Sequence, residues 1–134
     1  MAVKLETQSI RTIATFEKLT KVHARDCLIT DECIYFLVDP ERIGMAVGRN
    51  GSIIKEVRRV FGKSVKIFGY YPDPESFLRG AVPNVKFLGT NDGSITISIP
   101  NDQRMSVIGR NGDNIKAIRE ILSRHYKVKK LRLR

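Results

Sequence analysis

Apolar residues recur along this chain at helical and at alternating spacings. Residues 7–20 place Ile10, Ile13, Ala14 and Leu19 on a loose helical stripe. Thr7 stands where a cap would, and Arg11, Glu17, Lys18 and Lys21 take more exposed positions. Residues 23–29 and 33–38 read as strands around the polar turn Thr30-Asp31-Glu32, the second dense in branched and aromatic side chains. Asp39, Pro40 and Glu41 suit the first turn of a short helix that runs to about Val47, where Gly48 stops it. A second helix at 52–61 buries Ile54, Val57 and Phe61 and ends at Gly62. Residues 65–68 predict a third strand.

Residues 69–74 punctuate the middle of the chain, and the order then repeats. A helix opens at Asp73 or Pro74 and runs to about residue 81, followed by a strand at 85–90 and the hairpin turn Asn91-Asp92-Gly93. In the next strand, Ile95, Ile97 and Ile99 alternate with Ser94, Thr96 and Ser98, the mark of a sheet with one buried face. Residues 102–108 predict a short helix. Residues 113 to about 125 predict a longer one, with Ile115, Ile118, Ile121 and Leu122 on its apolar face. From 127 to 134, basic residues alternate with Val128, Leu131 and Leu133, which predicts a last strand that frays into a basic tail. An offset of 61 residues superposes the halves: Ile34 on Ile95, Phe36 on Ile97, Val38 on Ile99 and Val57 on Ile118. Carried further, it pairs Val65 with Tyr126 and Ile67 with Val128.

At the same offset lies a repeated glycine loop. Val47-Gly48-Arg49-Asn50-Gly51 recurs as Ile108-Gly109-Arg110-Asn111-Gly112, and each copy is followed by a helix carrying Ile, Lys and Arg at matched positions: Ile54, Lys55, Arg58 and Ile115, Lys116, Arg119. Two glycines around two polar residues let the backbone turn tightly and approach a ligand closely. The following helix offers unpaired N–H groups to an anion, and the arginine adds a charge that meets a phosphate. Asn50 and Asn111 tolerate unusual backbone angles. The bland alternative, a tight helix–helix connection without a ligand, fits a single such loop better than two in matching surroundings. A mononucleotide loop is excluded by the missing Gly-x-x-x-x-Gly-Lys pattern.

Charge supports this chemistry. The chain of 134 residues carries 24 basic and 14 acidic residues, a formal charge of +10, which suggests an anionic partner, most often nucleic acid. Tyr70 and Tyr71 are candidates to stack on bases, although aromatics at a junction more often pack, and the basic run 127–134 is a further candidate for RNA contact. Catalysis has little support: Asp31, Glu32, Asp102 and Asp113 fall at turns and helix starts, where capping explains them. The only cysteines, Cys27 and Cys33, are too few for a metal site, and no cofactor or metal is expected. They are expected as free thiols; a bridge between them would need a hairpin turn centred on Thr30. No apolar run spans a membrane and no signal peptide is evident, so the expected location is cytoplasmic.

The two Gly-Arg-Asn-Gly loops, each between helices, resemble the Gly-x-x-Gly loops of K-homology (KH) domains. The order helix-strand-strand-helix-helix-strand resembles their type II arrangement. Together with Phe16-Glu17-Lys18-Leu19-Thr20, Arg25-Asp26-Cys27 and Asp73-Pro74-Glu75-Ser76-Phe77, the chain resembles the tandem KH module of the NusA family of transcription factors, above all its short archaeal form. The resemblance covers nearly all of residues 7–130. It implies an α+β (α/β two-layer) fold of two tandem type II KH domains, at 1–70 and 71–134, each a three-stranded mixed sheet covered by helices on one face.

It also implies a protein that binds about four nucleotides of single-stranded RNA in a groove between the loop and a strand edge; a non-catalytic monomer is expected. The clamps would be Gly48, Arg49, Asn50, Gly51 and Gly109, Arg110, Asn111, Gly112. Ile54 and Ile115 would help to form the floor, with Lys55, Arg58, Lys116 and Arg119 assisting. Asp113 is the one unhelpful charge; it either weakens the second site or caps the helix. Transcription termination or antitermination is the role implied, with RNA polymerase a further partner. The bacterial factor's polymerase-docking region and cold-shock-like barrel have no counterpart here, which leaves two competing roles: a ribosome-associated or RNA-processing KH protein, and an adaptor for RNA polymerase.

Overall fold

A computed structural model describes the backbone from residue 2 to residue 134 and the side chains from residue 8. It divides into two compact units, Met1–Tyr70 and Tyr71–Arg134. In the first unit, helix α1 (Ala2–Thr20) leads into strands β1 (Ala24–Ile29) and β2 (Cys33–Val38). A single 3-10 turn, Pro40–Arg42, precedes the short helix α2 (Ile43–Val47). After the glycine loop come α3 (Ser52–Phe61) and β3 (Ser64–Gly69). The expected start of the first helix shifts: the backbone is already helical at Ala2, so Thr7 lies inside α1, and its side chain is outside the described residues. At the other end, the Thr20 hydroxyl donates to the Phe16 carbonyl (2.8 Å) and accepts from the Val22 N–H (3.0 Å), which stops the helix.

The sheet order is β1-β2-β3, with β2 antiparallel to β1 and parallel to β3. A parallel neighbour needs a crossover, which α2, the loop and α3 supply. Alternation along β2 sends Ile34, Phe36 and Val38 to the helical side, where they meet Phe16, Ala46, Ile54, Val57 and Val65 in one buried cluster. Phe16 stacks on Phe36 with ring centroids 4.0 Å apart. Cys27 belongs to this cluster and pairs with Phe36, whereas Cys33 lies beside Thr30 at the hairpin end. Cys27 and Phe36 share a face, and Cys33 is an odd number of residues from Phe36 on the same strand, so it points to the opposite face. The thiols are therefore on different faces and at different registers; they form no disulfide with each other, and both are buried.

The second unit runs α4 (Pro74–Ala81), β4 (Lys86–Asn91), β5 (Ser94–Ser98), α5 (Asn101–Ile108), the second loop, α6 (Asp113–Tyr126) and β6 (Lys130–Leu133). Asp73 caps α4, accepting from the Ser76 N–H and hydroxyl, both at 2.9 Å, and these bonds hold its carboxyl below the usual range. The sheet order is β4-β5-β6, again antiparallel then parallel. Ile95 and Ile97 bury toward the helices with Ile115, Ile118, Ile121, Leu122 and Leu131. Each unit is thus a three-stranded mixed sheet covered by helices, in the order expected.

The 61-residue offset fails at the last strand. Ile34 pairs with Val65 in the first sheet, but Ile95 pairs with Leu131 in the second, not with Tyr126. Likewise the partner of Ile97 is Leu133, not Val128. The reason is α6, which has 14 residues where α3 has 10, so the strand arrives later. The added turn carries Tyr126. Its hydroxyl donates to the Tyr71 carbonyl (2.8 Å) and accepts from the Tyr71 N–H (3.0 Å), and its ring packs on Phe77 at 5.5 Å.

Candidate nucleic-acid interface

The two glycine loops have nearly the same backbone. Gly48 sits at φ 78°, ψ 170° and Gly109 at φ 80°, ψ 173°. Asn50 and Asn111 are left-handed (φ 56° and 57°), and so are Gly51 and Gly112 (φ 72° and 74°). Each first glycine closes the preceding helix, Gly48 N–H donating to the Gly44 carbonyl (2.9 Å) and Gly109 N–H to that of Met105 (2.8 Å). Each second glycine donates back to the first at 3.1 Å. The first position is closed to side chains for a second reason: a Cβ on Gly48 would lie 2.7 Å from Ile53 Cγ1, and one on Gly109 2.7 Å from Asn114 Cβ and 2.8 Å from its backbone nitrogen. The result is a tight loop with Arg49, Asn50, Arg110 and Asn111 all exposed at its tip.

Beyond the loop, the structure separates residues that look alike in sequence. The stems of Lys55 and Lys116 fold back over the second glycines; their Cε atoms lie 3.9 and 3.8 Å from where a Cβ on Gly51 or Gly112 would stand. These lysines therefore belong with the loops. Arg58 and Arg119, one turn later, reach instead to the edge of the last strand. Arg58 Nη2 donates to the Val65 carbonyl at 3.4 Å, and Arg119 Nη2 to that of Leu131 at 3.2 Å. Val65 and Leu131 are the residues the sheet registers make equivalent, so the two arginines do the same thing in both units. Arg119 and Leu122 form one wall of an open cavity of about 600 Å³, and the run from Val128 to Arg134 forms the other. Ile54 and Ile115 are 7% and 4% exposed. They support the loop from beneath and leave little surface as a floor.

Several expected roles change. Asp113 does not cap α6: Gly112 occupies the N-cap position, and Asp113 is the first helical residue, where its charge suits the helix dipole. Tyr70 is covered by the Arg25 guanidinium, 4.4 Å from the ring centroid, and Arg25 is itself held by Asp39 at 2.6 Å. The Tyr71 backbone is engaged by Tyr126, and its ring lies against Gly80. Both tyrosines thus make packing contacts, as aromatics at a junction more often do. Asn114 is a residue that the sequence pattern does not single out. It stands where the first unit has Ile53, is 5% exposed, and its Nδ2 donates to the Val107 carbonyl at 2.8 Å, tying the base of the second loop to α5. The available signal was a polar residue at a position that is apolar in the other repeat. Among the described residues, no group of three or more His, Cys, Asp or Glu side chains could hold a metal ion, and no helix is long and apolar enough to cross a membrane.

Comparison with known proteins agrees with this architecture. Family models of the KH domain match residues 10–72 and 94–126. The chain is 33% identical to a probable transcription termination protein NusA from Methanocaldococcus jannaschii, over 98% of this chain and 75% of that one. It is 28% identical to the protein of the same description from Halobacterium salinarum, over 99% of both. The crystal structure of APE1850 superposes with a TM-score of 0.77 at 29% identity, covering 96% of this chain and 99% of that one. The chain is a tandem KH-domain protein and belongs to the family of NusA-like proteins.

Proposed function

We propose that this chain is a non-catalytic, single-stranded RNA-binding protein that grips the phosphodiester backbone at both Gly-Arg-Asn-Gly loops and acts in transcription termination or antitermination. The observation that carries the reading is the repeated loop geometry: the same left-handed turn, with an exposed arginine and asparagine at its tip and a lysine laid over its second glycine, built twice in one chain. Such a turn brings backbone N–H groups, a helix N-terminus and side-chain cations to one point, which suits a phosphate. Arg119, which lines the cavity along β6, is our candidate to contact the bases that follow. The termination role rests on the description of the relatives; RNA polymerase is a further partner that we propose.

The test is a protein in which Arg49, Asn50, Arg110 and Asn111 are all replaced by Asp. Asp is tolerated in left-handed conformations, so the loops keep their shape. Binding of a fluorescent single-stranded RNA, followed by polarisation, is expected to weaken by about 10²-fold or more, and wild-type affinity to fall steeply as salt rises. The circular dichroism spectrum should not change. Undiminished RNA binding by a folded variant would rule out the loops as the site.

A further inference from the structure

The sheet of the second unit has a face that the loops do not explain. The registers place Asn91, Ser94 and Lys130 in one row across β4, β5 and β6, and Gly89, Thr96 and Arg132 in the next, with Lys86 beside Ser98 beyond them. These positions alternate with Ile95, Ile97 and Leu131, which bury toward the helices. The rows therefore look away from the helices, on the side of the sheet opposite the glycine loop. Lys86, Asn91, Lys130 and Arg132 are exposed, and Ser94, Thr96 and Ser98 are half-buried between them. No carboxylate occupies any of these paired positions. In the first unit the same face carries Leu28, Cys33, Tyr35, Leu37 and Phe68, all buried, beside the exposed Ser64 and Lys66 of β3.

We propose that this hydroxyl-and-cation face of the second unit is a further RNA surface, one that takes the sugar–phosphate backbone flanking the segment held at the loop. The idea rests on the RNA reading above. Serine and threonine hydroxyls, asparagine amides and Lys or Arg cations are the groups that contact phosphate and sugar without reading sequence. They lie on a flat, twisted lattice, so an extended strand can meet several at once. β6 is an edge strand, so Lys130 and Arg132 stand at the border between the cavity beside Arg119 and the open face. A strand leaving that cavity has to cross only β6 to reach Thr96 and Ser94.

The test neutralises the face by changing Ser94 and Thr96, which belong neither to the loops nor to the cavity lining. In the variant Ser94→Glu, Thr96→Glu, each new carboxylate lies directly across from Lys130 or Arg132, a pairing that antiparallel and parallel ladders accept. A control, Ser94→Gln, Thr96→Gln, has the same bulk without charge. Binding is measured to an RNA of about four nucleotides, the length one groove holds, and to a much longer homopolymer. Because Lys130 and Arg132 then pair with the new carboxylates and no longer neutralise two phosphates, the Glu variant should bind the long RNA roughly tenfold more weakly at moderate salt, and its log–log salt slope should fall by about 1.4. The short RNA should bind as before, and the Gln control should behave as wild type. Unchanged affinity and slope for the long RNA in the Glu variant would overturn the proposal, as would an equal loss in the Gln control. If instead the four-Asp loop variant still binds the short RNA, the loop reading fails and the face is judged on its own result.

Discussion

At the scale of single residues, the loop glycines are not equivalent. Gly109 combines φ 80°, ψ 173°, a region essentially reserved for glycine, with backbone of Asn114 at 2.8 Å from any Cβ. Gly112 has only the left-handed strain, with ordinary contact distances around it. Gly109→Ala is therefore expected to destabilise the protein by about 3 kcal/mol and Gly112→Ala by about 1 kcal/mol, from urea unfolding midpoints. Equal effects would mean that the close approach of Asn114 is relieved at little cost. The need for glycine was legible in the sequence, because a Gly-x-x-Gly repeated at two helix junctions implies backbone angles that a side chain would resist. Which glycine matters more was not, because it depends on the residue packed beneath, Ile53 in one unit and Asn114 in the other. Arg58 and Arg119 were legible as cations on a helix face, but their bonds to Val65 and Leu131 require knowing which strand lies beside that face.

At the scale of elements, periodicity located every helix and strand core, and the repeat offset carried a wrong register into the last strand. Helix α3 ends at Gly62, a left-handed cap that any reader of the sequence would find. Helix α6 is capped by Lys127, which adopts the same left-handed conformation (φ 57°) although it carries a Cβ. Periodicity ends that helix at about residue 125, but a fixed 61-residue offset takes no account of its extra length and leaves Leu131 without a counterpart. The strained cap gives an expected outcome: Lys127→Gly should raise stability by about 1 kcal/mol by removing the penalty of a Cβ in a left-handed residue. A higher denaturation midpoint with unchanged cooperativity is the sign to look for. A lower midpoint would mean that Lys127 is held there by interactions that outweigh its strain. The helical side of each sheet was readable from Ile95, Ile97 and Ile99, and their serine and threonine neighbours were readable only as a polar face. The cationic rows appeared once the register set Lys130 and Arg132 beside them.

At the scale of the whole molecule, the proposed function makes affinity depend on RNA length through the duplication. A groove that holds about four nucleotides binds weakly alone, and a second groove in the same chain turns the next contact into an intramolecular one. Overall affinity can then exceed that of one site by roughly 10²–10⁴ with no new kind of contact, provided the RNA can reach both. The formal charge of +10 adds a salt-dependent attraction common to all RNAs, and it cannot produce this length dependence by itself. Replacing one loop only, Arg110→Asp with Asn111→Asp, separates the two contributions. For an RNA too short to span both grooves, the change removes one of two sites, and apparent affinity should fall no more than a few-fold. For a long RNA, it should remove the intramolecular gain, a loss of about 10²-fold, and the matching change at Arg49 and Asn50 should do the same. Long-RNA affinity within a few-fold of wild type in both single-loop variants would show that the loops act on separate strands, and the tandem repeat would then serve to recruit two RNAs instead of gripping one.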